Sequence, residues 1–116
     1  MITIVLKRIY ETPSSEDGLR VLVDRLWPRG ISKEHAAIDE WDKDLAPSSE
    51  LRKWFHHDPE LWKDFSEKYR QELHESNHGK DFLLRYKDQK KITLLYAAKD
   101  KNHCHAIILK QYLESL

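Results

Sequence analysis

The stretch Arg20-Val-Leu-Val-Asp-Arg-Leu-Trp-Pro-Arg-Gly30 decides the reading of this chain. Val21, Leu22 and Val23 form an unbroken apolar run, the pattern of a buried strand, here read as residues 20–26. The stretch ends in a rigid, charged loop: Asp24, Arg25 and Arg29 surround Trp27, and Pro28 and Gly30 punctuate the exit. A strand that delivers guanidinium groups to its carboxyl end has the layout of a ligand site in an open α/β sheet.

Working outward, residues 2–6 are apolar and β-branched, hence a strand, and residues 7–18 are a loop with Pro13-Ser14-Ser15 and Asp17-Gly18 as turn chemistry. Ser32 can cap a short helix to about Ala37. Residues 38–45 read equally as a short edge strand or a helical turn. Ser48 or Ser49 caps a helix with Leu51, Trp54 and Phe55 on one face. Asp58-Pro59 is the cleanest helix start, an Asp cap with Pro at the first helical position. Leu61, Phe65, Tyr69 and Leu73 then recur every four residues, and the helix is expected to end between Asn77 and Gly79. Phe82, Leu83 and Tyr86 suggest a further helix. Residues 92–98 form an apolar run, the third strand and the central one. Residues 103–113 are the last helix, with Ala106, Leu109 and Leu113 inward.

Strands separated by helices imply one three-layer, Rossmann-like α/β domain over residues 1–116, with a small, mostly parallel sheet flanked by helices. On that topology residues 24–30 and 99–105 both lie at carboxyl ends of strands and can face each other across one crevice.

Composition narrows the function. Lys plus Arg equals Asp plus Glu at 20 each, so the 116 residues carry no formal net charge. A general nucleic-acid coat protein should be basic, but a local basic patch is still allowed. Four Trp either fill the core or line a pocket. A single Cys excludes an intramolecular disulfide and fits a reducing compartment. The apolar run at residues 2–6 is too short for a signal peptide, and nothing approaches transmembrane length. The expectation is a cytoplasmic protein without a membrane partner, a monomer or weak homodimer.

Three motifs carry possible chemistry. The arginines of residues 24–30 offer planar, bidentate donors suited to phosphate or carboxylate; the bland reading is an internal salt bridge to Asp24, Asp44 or Asp100. Lys99-Asp100-Lys101-Asn102-His103-Cys104-His105 opens the last helix, where unpaired amides bind anions and lower thiol pKa. Cys104 would then be a reactive thiolate; the bland reading is a semi-buried Cys packing the helix start. His74-Glu75-Ser76-Asn77-His78 matches the zinc protease pattern, but Ser76, Asn77 and Gly79 place it at a polar helix end without a third ligand, so no metal and no cofactor are expected. His56-His57 is read as surface polarity. The aromatic and basic mixtures Leu51-Arg52-Lys53-Trp54-Phe55 and Tyr69-Arg70 resemble a nucleic-acid surface, and equally arise when aromatics face the core and cations face water.

Five signatures together resemble the YeaO-like branch of the bacterial family called domain of unknown function 488. They are RVLVDRLWPRG (20–30), KDLAPS (43–48), LRKWFHHDPELW (51–62), LLYAAKD (94–100) and HCHAIIL (103–109). The resemblance covers nearly the whole chain. It implies a Rossmann-like α/β domain, bacterial and cytoplasmic, with no established activity. Other branches of the family carry a Cys on the third strand, an acidic residue soon after it, and Cys-His-Arg opening the last helix. The matching positions here hold Tyr96, Ala98 and Cys104-His105-Ala106, so the resemblance implies that part of that set is lost.

Three functions follow. The first is binding of a phosphate-bearing small molecule or nucleic-acid end, with Asp24, Arg25, Trp27, Arg29, Tyr96 and His103 around the ligand. In that reading Arg25 and Arg29 clamp the anion, the amides of residues 103–105 complete the cradle, and Asp24 and Asp100 orient the arginines. The second is an enzyme using Cys104 or His105, with Asp100 as orienter; it requires a thiol pKa below about 8.5, the ordinary value. The third is a protein-interaction module built on exposed Trp side chains.

Overall fold

A computed structural model describes residues 2–116. Four strands form its sheet: β1 (Thr3–Arg8), β2 (Leu19–Leu22), β3 (Glu40–Trp41) and β4 (Lys91–Tyr96). All neighbours are parallel, in the order β1-β4-β2-β3, so β4 is central as its continuous apolar run implies. The helices are α1 (Lys33–Ala36), α2 (Ser49–Phe55), α3 (Trp62–Glu75), α4 (His78–Arg85) and α5 (His105–Glu114).

Alternation along the strands separates two unequal faces. Val21, Val23, Ile92, Leu94 and Tyr96 join Phe55, Phe65, Tyr69, Phe82 and Leu109 in the main core under α2 to α5. On the opposite face Leu22 and Leu95 form a smaller cluster with Ile9 and Ala36, with Trp27, Ile31, Ile38, Trp41 and Ala97 packed against it. The expected three layers are present, but one outer layer is a single turn of helix and a loop.

The polar half of that thinner face is an ion cluster. Arg20, buried on β2, donates through Nε to the Ala37 carbonyl, through Nη2 to the Ala36 carbonyl, and through Nη1 to the Asp17 carboxylate. Two of its hydrogen bonds therefore satisfy carbonyls at the end of α1, where cations are favoured. Lys7 also donates to Asp17, at 3.0 Å, and Thr93 Oγ1 donates to the Asp17 carbonyl at 2.6 Å. Gly18 beside it has φ +65°, and an added Cβ would come within 2.4 Å of the Lys91 carbonyl oxygen. A side chain there would push apart the turn and β4.

Local signals place most helix starts. Ser32 and Ser48 cap α1 and α2, accepting from the His35 and Leu51 amides at 3.2 and 3.1 Å. Asp58-Pro59 opens a 3₁₀ turn, Pro59–Leu61, that runs into α3. Several boundaries differ from expectation. β1 continues to Arg8 because Lys7 reaches Asp17 and Arg8 donates to the Ala97 and Ala98 carbonyls. β2 ends at Leu22 and β4 at Tyr96, because the Ala97 amide turns to the Asp24 carboxylate at 3.0 Å. The segment 38–45 is both things in turn, the two-residue β3 and a 3₁₀ turn, Lys43–Leu45. α3 stops at Glu75, so His74 and His78 lie on different helices, which removes the shared face a zinc pair needs. α5 starts at His105 rather than His103.

Burial works to raise the Asp17 carboxyl, but the Ser14 amide and the hydrogen bonds from Lys7 and Arg20 outweigh it, and its pKa is lowered. A lowered carboxyl stabilises the fold above its unfolded value, about 3.9, and that contribution is lost as pH falls from there through the folded value. Asp17→Asn should cost about 3 kcal/mol at neutral pH, since Arg20 would stay buried with its charge uncompensated. Urea titrations from pH 7 to pH 2.5 should show wild type losing its advantage over the variant in that acid window; equal stability at pH 7 would show the cluster to be dispensable.

Candidate functional site

The two strand-end loops do meet. Asp24, Arg25, Trp27 and Arg29 from the β2 exit and Ala97, Ala98, Lys99 and Asp100 from the β4 exit line one crevice of about 660 Å³. That volume lies within the range of small-molecule sites, roughly 300–1,000 Å³. His103, Cys104 and His105 complete the wall above α5, and Arg52, Phe55 and His57 from the end of α2, with Phe65 of α3, form the far side.

Asp24 joins the two loops. Its Oδ2 accepts the Ala97 amide, its carbonyl accepts Trp41 Nε1 at 2.7 Å, and its Oδ1 is 3.5 Å from His105 Nε2. His105 Nε2 is 2.9 Å from the Val23 carbonyl oxygen, which can only accept, so the proton is on Nε2. Burial raises the Asp24 carboxyl above its ordinary value, against the pull of His105, the Ala97 amide and His57.

The loop that carries the arginines is held at several points. Trp27 Nε1 donates to the Ile31 carbonyl at 2.9 Å, its ring meets Trp41 edge-on at 5.3 Å, and Tyr10 Oη donates to the Arg29 carbonyl at 2.8 Å. Gly30 turns the chain at φ +74°. The backbone is thus tied down while the Arg29 side chain stays exposed.

The cations have no carboxylate partners among the described residues. Arg25 donates to the Pro47 and Ala46 carbonyls, at 2.8 and 3.4 Å, and neither it nor Arg29 forms the salt bridge that the bland reading required. Asp24 and Asp100 therefore do not orient the arginines: Asp24 is taken by Ala97, and Asp100 accepts from the amides of Asn102 and His103 and sits 2.8 Å from His103 Nδ1. The His103 amide is likewise spent on Asp100 rather than free for a ligand. These bonds, the His103 ring first, hold the Asp100 carboxyl below its ordinary value.

Of the two readings of Cys104, the structure fits the packed Cys and not the reactive thiolate. Cys104 lines the crevice but is 2% exposed, and burial pushes its thiol up to about 12, with Asp24 and Asp100 adding to the rise against the Ala106 amide. Desolvation here outweighs the helix start, so the thiol is protonated at neutral pH. Tyr96 is buried in the main core and is not part of the crevice wall.

Arg52 and His57 belong to the crevice although the sequence did not single them out as site residues. His56 and His57 adopt left-handed backbone, φ 46° and 56°, at the end of α2, and this turn brings the His57 side chain to the wall. His is enriched in that conformation, which is the one local signal a His-His pair before Asp-Pro could have given. Arg52 Nε is buried and has no hydrogen-bond partner among the described residues. A buried donor without an acceptor costs about 1–3 kcal/mol, more when charged. The wall thus carries four Arg or Lys (25, 29, 52, 99) against two Asp (24, 100), besides three His.

No cluster of three or more His, Cys, Asp or Glu suited to a metal occurs among the described residues, and no helix there is long and apolar enough to cross a membrane.

The family model described as the inactive DUF488-N3 subclade matches residues 3–116. The chain is 44% identical to the uncharacterised protein YeaO of Escherichia coli K12 over 115 residues, which is 99% of this chain and 100% of that one. It is 42% identical to an uncharacterised protein of Mycobacterium tuberculosis H37Rv over 106 residues, 91% of this chain and 89% of the relative. No solved structure matches it.

Three measurements check this geometry. Iodoacetamide should modify native Cys104 at a rate that keeps rising with pH through 9 to 11, since its thiol titrates near 12; a plateau by pH 9 would contradict the buried thiol. Arg52→Met should leave the melting temperature equal or higher, because it removes an unsatisfied donor and keeps the aliphatic stem. Asp24→Ala should lower stability by about 1–3 kcal/mol, because it orphans the Ala97 amide.

Proposed function

The chain belongs to the DUF488 family, within the subclade described as inactive, and from that premise we propose that it binds a phosphate-bearing ligand at the crevice between the β2 and β4 exits. One observation carries the reading: Arg25, Arg29, Arg52 and Lys99 line a single crevice, and none of them has a carboxylate partner among the described residues. Unpaired guanidinium groups converging on a cavity suit a multiply charged oxyanion, which accepts from several planar donors at once. Location supports the same reading, because an open parallel sheet collects ligands at the carboxyl ends of its strands.

Binding is favoured over turnover for two reasons. The thiol at Cys104 is protonated at neutral pH, and the resemblance to other branches puts Tyr96 and Ala98 where those carry a Cys and an acidic residue. Trp27, Phe55 and Phe65 supply an apolar side to the crevice, so the ligand joins a phosphate to a ring system, as a nucleotide or a nucleic-acid end does.

A thermal-shift screen of nucleotides and short oligonucleotides tests this directly. A ligand at 100 times its dissociation constant should add about 2.7 kcal/mol of stability, a rise of a few degrees. The rise should shrink in Arg29→Ala, vanish in Arg25→Ala/Arg29→Ala, and fall with added salt. A rise that survives the double variant, or none with any phosphate, would remove the crevice as an anion site.

A further inference from the structure

Resting on that reading, we infer that Arg52 is the inner anchor of the crevice and that the ligand presents a terminal phosphate monoester, not an internal phosphodiester. The cations of the wall are not equivalent. Arg29 and Lys99 are exposed at the rim, and Arg25 already commits Nε and one Nη to the Pro47 and Ala46 carbonyls. Arg52 alone among them has a buried donor with no acceptor among the described residues.

Its position makes this more telling. Arg52 stands in the last turn of α2, where an arginine can reach back to the helix's own final carbonyls. The Arg52 carbonyl instead receives the His56 amide at 3.0 Å, and the chain leaves through two successive left-handed residues, His56 and His57. Non-glycine residues seldom adopt that conformation, and two in succession carry His57 into the same wall. The helix end is thus capped without the guanidinium, and Arg52 is among the residues that line the crevice.

An inner donor behind two exposed cations suits a group that enters head-first. A phosphate monoester carries up to two charges and three free oxygens at a chain end, enough to meet the inner guanidinium and the rim together. An internal diester has one charge, two free oxygens and a substituent on either side. Phe55 and Phe65, stacked at 4.2 Å, line the same crevice and give its far side an apolar wall.

The test is calorimetric titration with five probes: inorganic phosphate, phenyl phosphate, adenosine 5′-monophosphate, and a tetranucleotide with and without a 5′-phosphate. The proteins are wild type, Arg52→Ala, Arg52→Lys and Arg29→Ala, each checked by thermal melting. Monoesters and the 5′-phosphorylated oligomer should bind wild type, and the unphosphorylated oligomer at least tenfold more weakly. Losing one charge-assisted hydrogen bond should weaken binding roughly 10- to 100-fold in Arg52→Ala. Arg52→Lys, which keeps charge but not the planar fork, should recover only part, and it serves alone if the alanine variant does not fold. Tighter binding of the mononucleotide identifies a free nucleotide as the source, and tighter binding of the phosphorylated oligomer a nucleic-acid end; either supports the monoester. Monoester binding that Arg29→Ala weakens and both Arg52 variants leave intact overturns the anchor while sparing the anion site. Equal affinity for the two oligomers overturns the monoester. No binding by any probe removes the anion site itself.

Discussion

The carboxylate of Asp24 is the constraint on which the crevice depends. It stands where the β2 ladder stops and takes the amide of Ala97, where the β4 ladder stops. One side chain therefore continues the sheet for a step after its backbone pairing has ended. It also lies beside His105, the first residue of α5, whose ring is bonded to the neighbouring Val23 carbonyl. Two loops and a helix start are fixed relative to one another by a group whose burial is itself costly. Without that tie, arginines on one loop and the α5 approach on the other would share no defined space.

Charge is distributed over the molecule with matching logic. On the thinner face of the sheet Arg20, Lys7 and Asp17 are mutually satisfied, and the guanidinium closes a helix end besides. In the crevice Arg25 finds only carbonyls, Arg29 and Lys99 are exposed, and Arg52 keeps a buried Nε without an acceptor among the described residues. At the edge, the two-residue β3 is guarded by Arg85 of α4, which pairs with Glu40 and Asp42 at 3.1 Å and leaves little free strand for another chain to join. The neutral total charge conceals this division: pairing is complete where the chain needs rigidity and incomplete where the cavity lies.

Much of the fold was legible because it is written in local terms. Continuous apolar runs gave β1, β2 and the central β4, and Ser32, Ser48 and Asp58 each announced a helix start that the backbone amides then used. What stayed hidden depended on partners distant in sequence. The ends of β2 and β4 are set by one hydrogen bond between residues 73 positions apart. Cys104 reads either as an activated thiol beside two histidines or as a Cys packing the helix start, and only its place in the core shows it to be desolvated. Arg52 looks like any cation on an amphipathic helix, since nothing local says that its Nε faces inward without a partner. Parallel topology allowed the two loops to face each other; that they meet, and in the company of α2, rests on the side chains between them.

The central position of β4 also dictates the order in which the molecule can assemble. β1 pairs only with β4, and Thr3 lies opposite Lys91. A nascent chain must therefore carry its first strand without a neighbour through most of synthesis, and β2 has only the brief β3 to lean on. Closing a loop of that span comes at an entropic cost before any contact returns it, so the sheet condenses late and as a unit. Until then the apolar strands stand open, and in this period, more than in the finished fold, the chain is exposed to aggregation.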